Sequence, residues 1–199
     1  MIKGNKGEWS ELYVLLRLLA YGKIYAADDQ VKKIKNVYFP ILKIIREEVK
    51  GKRLEYRIGK NEDVEIYSYD IKIKSISKER LKKEADYLYN EIVNMKSRSF
   101  EIEQTEKFAN EIECYRLSAP STDKTDIKIQ IHDIHTGFEP VCGFSIKSEL
   151  GSAPTLLNAS GATNFIYEVE GINDVQMERI NALNNPKSKI MDRMEQIFL

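Results

Sequence analysis

The sequence has few of the residues that build disulfide scaffolds or zinc sites. Its 199 residues include only two cysteines and two histidines. Neither Cys114 nor Cys142 belongs to a CxxC pair, which excludes a disulfide framework, and we interpret both as small buried apolar residues. His132 and His135 lie in a turn-like stretch with no third ligand at zinc spacing. The chain therefore has to be stabilised by an ordinary hydrophobic core.

Long apolar runs are also missing. No stretch approaches the roughly 18–20 apolar residues that span a bilayer, and the N-terminal "MIKGNKGEWSE" is too polar for a secretory signal. We therefore expect a cytoplasmic protein without membrane contact. The motifs GxxxxGK[ST] and GxSxG are absent, which argues against a P-loop nucleotide site and a nucleophile elbow.

An excess charge of either sign is absent as well. Lys and Arg together number 31, as do Asp and Glu, so the formal net charge is zero. A nuclease is compatible with this balance, because a basic DNA track and an acidic metal site cancel in the total.

Two periodicities alternate along the chain and predict an α/β fold with a mixed β-sheet flanked by helices. Helical spacing of apolar residues predicts helices from Asn5 to Gly22 and from Ser77 onward, and Asn5 with Glu8 forms a candidate capping box. Strand-like alternation covers residues 37–76, with "VEIYSYDIKI" as one of the runs. Further helices are predicted at 100–117, with continuation into a strand as an alternative at its end, over 152–161, from Asp174 and from Pro186 to the end. A further strand is predicted over 163–170. Short connections favour one domain over residues 1–199.

The segment "TDIKIQIHDIHTGFEPVCGFSIKSELG", residues 125–151, predicts two strands joined by a turn. Side chains alternate along a strand, so Ser145 and Lys147 share one face of the second strand. Asp126 lies near the start of the first strand and can approach both. We expect Lys147 to be a buried lysine. Carboxylates bind Mg²⁺ through oxygen, and a nearby cation stabilises charge on a phosphodiester, so this grouping predicts phosphodiester chemistry.

This grouping resembles the PD-(D/E)xK nuclease superfamily, whose motif is an acid on one strand and acid–x–lysine on the next. The resemblance implies catalytic roles for Asp126, Ser145 and Lys147, with Asp126 as a ligand of Mg²⁺. Serine replaces the second acid, so a carboxylate must come from elsewhere. The candidates are Glu11, Glu149 and Glu168.

Glu11 is the candidate on the first helix. "KGEWSE" is similar to the KGxxxE helix of archaeal Holliday-junction resolvases, which implies that Glu11 binds the metal directly or through water. Glu11 also lies one turn before Leu15, towards the buried stripe, and a buried acid needs a partner or a metal. Glu8, in contrast, has a simpler role in capping.

The short sequence motifs "GNKGEWSE", "STDKTDIKI", "FSIKSELGS" and "PTLLNASGATNF" occur in this order. Together they resemble the HpaII-type restriction endonucleases. The resemblance is carried by residues 4–20 and 121–170. It implies Mg²⁺-dependent cleavage of double-stranded DNA at CCGG, a cognate methyltransferase in the same system, and a homodimer as one way to cut a palindrome. Such enzymes are usually longer, so these residues could be the N-terminal catalytic part of a longer protein.

The stretch after Lys147 is rich in Ser, Thr and Asn, which suit contacts to phosphates and base edges. We predict a DNA-binding role for Ser148, Ser152, Thr155, Asn158, Thr163 and Asn164. For any single one of them, capping or turn formation is the better explanation.

Two other functions stay open at this stage. The KGxxxE helix allows a nuclease that selects DNA structure, such as a junction resolvase. The loss of the acid at Ser145 allows a non-catalytic DNA-binding module with a degenerate site.

Overall fold

The computed structural model describes residues 2–49, 52–59, 63–119, 125–150, 170–185 and 188–198. The chain divides into two compact units, Met1–Pro154 and Thr155–Leu199. The organisation as a single nuclease domain stays a prediction. Among the described residues, no helix is long and apolar enough to cross a membrane.

A seven-stranded sheet forms the centre of the first unit. Its strands are β1 (Lys23–Ala27), β2 (Lys33–Val49), β3 (Lys52–Ile58), β4 (Asp63–Ser68), β5 (Ile71–Ser77), β6 (Ile127–Ile131) and β7 (Val141–Phe144). The order across the sheet is β5-β4-β3-β2-β6-β7, and β1 pairs with β2 off this path. Every ladder between the described strands is antiparallel. The long strand β2 therefore pairs with both β3 and β6.

Among the described residues, three helices belong to the first unit and two to the second. They are α1 (Lys6–Tyr21), α2 (Lys78–Asn94) and α3 (Glu103–Glu111), then α4 (Asp174–Ala182) and α5 (Lys189–Phe198). The predicted capping box of α1 is confirmed. The Asn5 side chain accepts from Glu8 N at 3.1 Å, and the Glu8 carboxylate accepts from Asn5 N at 2.8 Å. Gly22 ends the helix by donating its N–H to Leu18 O.

The core lies between the sheet and the pair α1 and α2. The apolar stripe of each helix is fully buried, as are the inward residues of the central strands. These residues are Leu12, Leu15, Leu16, Leu19, Leu81, Ala85, Leu88, Ile92, Ile44, Tyr56, Ile66 and Ile129. The helical period of 3.6 and the strand period of 2 thus bring apolar side chains to one layer. The predicted α/β class, a β-sheet flanked by helices, is confirmed.

Two local predictions differ from the structure. "VEIYSYDIKI" forms two strands, β4 and β5, because Tyr69 and Asp70 turn the chain with φ of 48° and 63°. This turn lacks the glycine or asparagine that usually marks such a position, so the sequence contains no signal for it. The helix predicted over 100–117 is also shorter: α3 ends at Glu111, and Glu113 adopts φ 62°. The helix and strand predicted within 152–170 lie outside the described residues, apart from Glu170.

Candidate active site

Asp126 lies directly before β6, and both its backbone and its side chain bind the chain that leaves β7. Its N–H donates to Phe144 O at 3.0 Å, and its carboxylate Oδ2 accepts from Ile146 N at 2.6 Å. Ile146 stands between Ser145 and Lys147. The structure therefore brings Asp126 to the backbone of the predicted Ser-x-Lys segment, while the catalytic roles of these residues stay predictions.

The close approach of β6 and β7 next to Asp126 depends on Gly143. Gly143 pairs with Lys128 across the ladder. A Cβ at position 143 would lie 2.5 Å from Thr125 Cγ2, far inside van der Waals contact. A larger residue there would push apart the two segments that carry Asp126 and Lys147.

Lys147 is exposed, so the expectation of a buried lysine is wrong. The ladder ends at Phe144, which means that Ser145 and Lys147 lie beyond the strand. Exposed and half-buried side chains nevertheless continue to alternate to Leu150, and Phe144 and Ile146 pack on the core. The apolar residues take the inner positions, so the strongly hydrated ammonium group stays outside. In this position it is accessible to a ligand that approaches from solvent.

Glu11 is the carboxylate that the structure couples to Asp126. Burial raises the pKa of Glu11, and the negative charge of Asp126 raises this pKa further. Ser118, the Ala119 backbone and the charge of Arg46 act on this pKa in the opposite direction. Oxygen Oε2 of Glu11 is buried and has no hydrogen-bond partner among the described residues. A buried carboxylate oxygen without a hydrogen-bond partner lowers the stability of the folded protein. Two neighbouring negative charges favour the binding of a shared cation.

The other two candidates for the missing acid differ from Glu11. Glu149 is exposed, and Glu168 lies outside the described residues. Within the described ranges, no group of three or more His, Cys, Asp or Glu side chains is placed to hold a metal ion. Glu11 and Asp126 therefore stay the predicted metal ligands.

A cavity of about 340 Å³ opens beside Asp126. Thr125, Arg46, Arg53 and Lys128 are among its lining residues. Thr125 Oγ1 is a second buried oxygen for which the described part of the chain provides no partner. The cavity thus combines two carboxylates, those of Asp126 and Glu47, with three cationic side chains, a mixture that suits a phosphodiester near a metal site.

The buried pair Arg46 and Glu48 was missed by the sequence analysis. Arg46 Nε donates to Glu48 Oε1 at 2.6 Å, and both side chains are almost fully buried. Glu48 Oε2 accepts from the N–H groups of Tyr115 and Arg116, and Arg46 Nη2 donates to Arg116 O. A signal exists in "ILKIIREEV", because two-residue spacing puts both charges on the buried face with Ile44.

The Ser148 hydroxyl connects the Lys147 segment to α1. Ser10 Oγ donates its single proton to Lys6 O at 2.7 Å, which leaves it an acceptor for Ser148 Oγ at 2.9 Å. Ser148 Oγ in turn accepts from Leu150 N at 3.2 Å. The hydroxyl proton of Ser148 is therefore used inside the protein, and its DNA-binding role stays a prediction. In the sequence, Ser10 directly precedes Glu11, and Ser148 directly follows Lys147.

We expect a measurable coupling between the two hydroxyls. In a double-mutant cycle of Ser10→Ala and Ser148→Ala, urea unfolding should give a coupling free energy of about 1 kcal/mol, the net value of one such hydrogen bond. A cycle of Ser10→Ala with Ser75→Ala, whose side chain is exposed on β5, serves as the control and should show none. Zero coupling in the first cycle would contradict the bond.

The remaining predicted DNA-binding residues lie outside the described residues. They are Ser152, Thr155, Asn158, Thr163 and Asn164. Their roles stay predictions.

Comparisons with known proteins identify the family. The family model of the HpaII restriction endonuclease matches residues 5–198. The type II restriction enzyme HpaII of Haemophilus parainfluenzae is 41% identical over 194 residues, which are 97% of this chain and 54% of the relative. The chain thus spans about half the length of that curated relative. No solved structure matches. On the family match and this identity, the chain belongs to the HpaII restriction endonuclease family.

Proposed function

We propose that this chain is the catalytic unit of a type II restriction endonuclease, hydrolysing phosphodiester bonds in double-stranded DNA at CCGG with Mg²⁺. The observation that carries the proposal is the contact of the Asp126 carboxylate with Ile146 N, beside Lys147. Membership of the HpaII family supports the reaction class. The sequence CCGG rests on the family resemblance alone.

Asp126 and Glu11 fit a divalent cation. Both are hard oxygen donors, as Mg²⁺ prefers. The unpartnered Oε2 of Glu11 and the effect of Asp126 on the pKa of Glu11 are what two ligands show when no cation lies between them. The chemistry that such an ion supplies is activation of water and neutralisation of charge on the phosphodiester.

Ser145 and Lys147 take separate roles in this proposal. Ser145 cannot contribute a charge at the position of the motif's second acid, so Glu11 supplies the missing carboxylate. The Lys147 ammonium is exposed on the same side as Ser145. It donates hydrogen bonds to the attacking water and to the phosphoryl oxygens, where negative charge grows in the transition state.

The working form is proposed as a homodimer. A palindromic site presents the same phosphodiester on both strands, and two-fold symmetry places one active site at each. The cognate methyltransferase would protect the host at the same sequence without stable contact with this chain.

A digest tests the function. Unmethylated plasmid DNA is incubated in Mg²⁺ with the wild-type chain or with Lys147→Ala, and the fragment ends are mapped. We expect discrete fragments that end at CCGG with the wild type and none with the variant.

The alternatives give other patterns. Cleavage of a synthetic four-way junction without sequence preference would replace the proposal with a structure-selective nuclease. Binding without cleavage in every divalent metal would indicate a non-catalytic module.

A further inference from the structure

A second cleft, of about 640 Å³, lies beside the start of α1. Its walls are residues 5–7, residues 96–98, and Ser148 with Leu150. Three of these residues are cationic, namely Lys6, Lys96 and Arg98, and none of the lining residues is acidic. The cleft beside Asp126, in contrast, includes two carboxylates. The second cleft therefore attracts anions.

The three cations keep their charge available. Within the part of the chain that the structure describes, no carboxylate forms an ion pair with Lys6, Lys96 or Arg98; Lys6 Nζ reaches only the carbonyl of Val93, at 3.5 Å. Basic residues of α2 and α3 differ, since their ion pairs are Lys83–Glu79, Arg80–Glu111 and Lys107–Glu103. Glu8, which is close in sequence, is occupied by the capping box.

The two walls are held in place by backbone contacts. Gly4 and Phe100 exchange hydrogen bonds of 3.0 and 2.9 Å, and Trp9 Nε1 donates to Phe100 O. A Cβ at position 4 would lie 2.4 Å from Leu117 Cδ1, so a larger residue there would require the Leu117 side chain to move. The segments that carry Lys6 and Arg98 are thus fixed to each other before any ligand binds. Preformed geometry lowers the cost of binding.

The cleft adjoins the candidate active site. Ser148 follows Lys147 directly, and its bond to Ser10 places it next to the helix turn that carries Glu11. A strand of duplex DNA carries one phosphate for about every 3.4 Å of axis. Phosphates next to one bound at Asp126 and Lys147 would therefore come within reach of the cleft.

We propose that this cleft binds backbone phosphates of duplex DNA on one side of the scissile bond, through Lys6, Lys96 and Arg98. The Asn5 side chain already accepts from Glu8 N at the start of α1, and we assign the attraction to the three cationic side chains. The contacts position the duplex and read no sequence. The placement beside the scissile bond rests on the proposed function.

The test is the salt dependence of DNA binding without divalent metal. The variant is Lys6→Gln/Lys96→Gln/Arg98→Gln. The matched control, Lys82→Gln/Lys83→Gln/Lys107→Gln, makes the same change in net charge on α2 and α3. Binding to a fluorescent duplex is measured by anisotropy in EDTA from about 50 to 200 mM salt, with and without a CCGG site. Each lost phosphate contact reduces the slope of log K against log salt by about 0.9.

We expect the slope of the cleft variant to be less steep than that of the wild type by about 2.7 on both duplexes. A fourfold rise in salt would then weaken the variant about 40-fold less than the wild type. The control should keep the wild-type slope. If the triple variant does not fold, the exposed single variant Arg98→Gln should reduce the slope by about 0.9.

An unchanged slope in the folded cleft variant would overturn the inference, as would a wild-type chain that shows no salt-dependent binding. Neither result depends on cleavage. If the wild type does not cut the plasmid but the cleft variant still shows the less steep slope, the proposed nuclease activity is rejected and the phosphate-binding cleft is not.

Discussion

Asp126→Asn should reduce DNA cleavage by about 10³-fold or more, because loss of the metal removes several kcal/mol of transition-state stabilisation. The variant should nevertheless fold. An asparagine carbonyl can still accept from Ile146 N, which now donates to Asp126 Oδ2 at 2.6 Å. The repulsion that Asp126 exerts on Glu11 disappears at the same time. We therefore expect a free energy of unfolding, without metal, equal to or above that of the wild type.

Two measurements separate metal binding from chemistry. Mg²⁺ should raise the thermal midpoint of the wild type, because a ligand that binds only the folded state stabilises it. Asp126→Asn should lose this shift together with cleavage. Asp86→Asn is the control, since Asp86 pairs with Arg17 on the surface of α2, and it should cut at the wild-type rate. Cleavage by Asp126→Asn at the wild-type rate would rule out Asp126, and a retained Mg²⁺ shift would rule out the metal assignment.

Glu48→Gln should lower the free energy of unfolding by about 3–5 kcal/mol, the cost of breaking a buried ion pair. The substitution removes the carboxylate that is hydrogen-bonded to the buried Arg46 guanidinium. Glu48 also accepts from the N–H groups of Tyr115 and Arg116, at 2.9 and 3.1 Å. A neutral amide can satisfy only part of this set, because one of its two polar atoms is a donor.

The free energies of unfolding of Glu48→Gln and of the control Glu79→Gln are compared by urea unfolding. Glu79 pairs with Lys83 on the surface of α2, where both side chains are about three-quarters exposed. Removing that exposed pair should lower the free energy of unfolding far less than Glu48→Gln does, because solvent screens the two charges. Equal losses of unfolding free energy in the two variants would show that burial does not increase the contribution of Glu48 to stability.

The local parts of the fold could be predicted from the sequence. Helix α1 begins and ends where Asn5, Glu8 and Gly22 predict, because capping bonds join residues only three or four positions apart. The apolar stripe of α1 is buried as its spacing indicates. The turn at Tyr69 and Asp70 was missed since neither residue type marks it. Its conformation is held by the pairing of β4 with β5.

Part of the geometry around the predicted site residues followed from the sequence, while their roles stay predictions. Strand alternation placed Ser145 and Lys147 on one side, and Asp126 binds the backbone of Ile146 between them. The exposure of Lys147 could not be predicted, because it depends on where the ladder with β6 ends. Arg46 and Glu48 were overlooked inside an apolar run, although their spacing put them on the buried face.

The sequence by itself determined the residue types, the helix that carries Glu11 and the family, since these depend on local spacing and on short motifs. Only the tertiary structure decided which carboxylate approaches Asp126. It also decided that the Ser148 proton is used within the protein and that Lys6, Lys96 and Arg98 share one cleft. These contacts join residues about 90 to 140 positions apart, and burial and charge at such distances follow from packing alone.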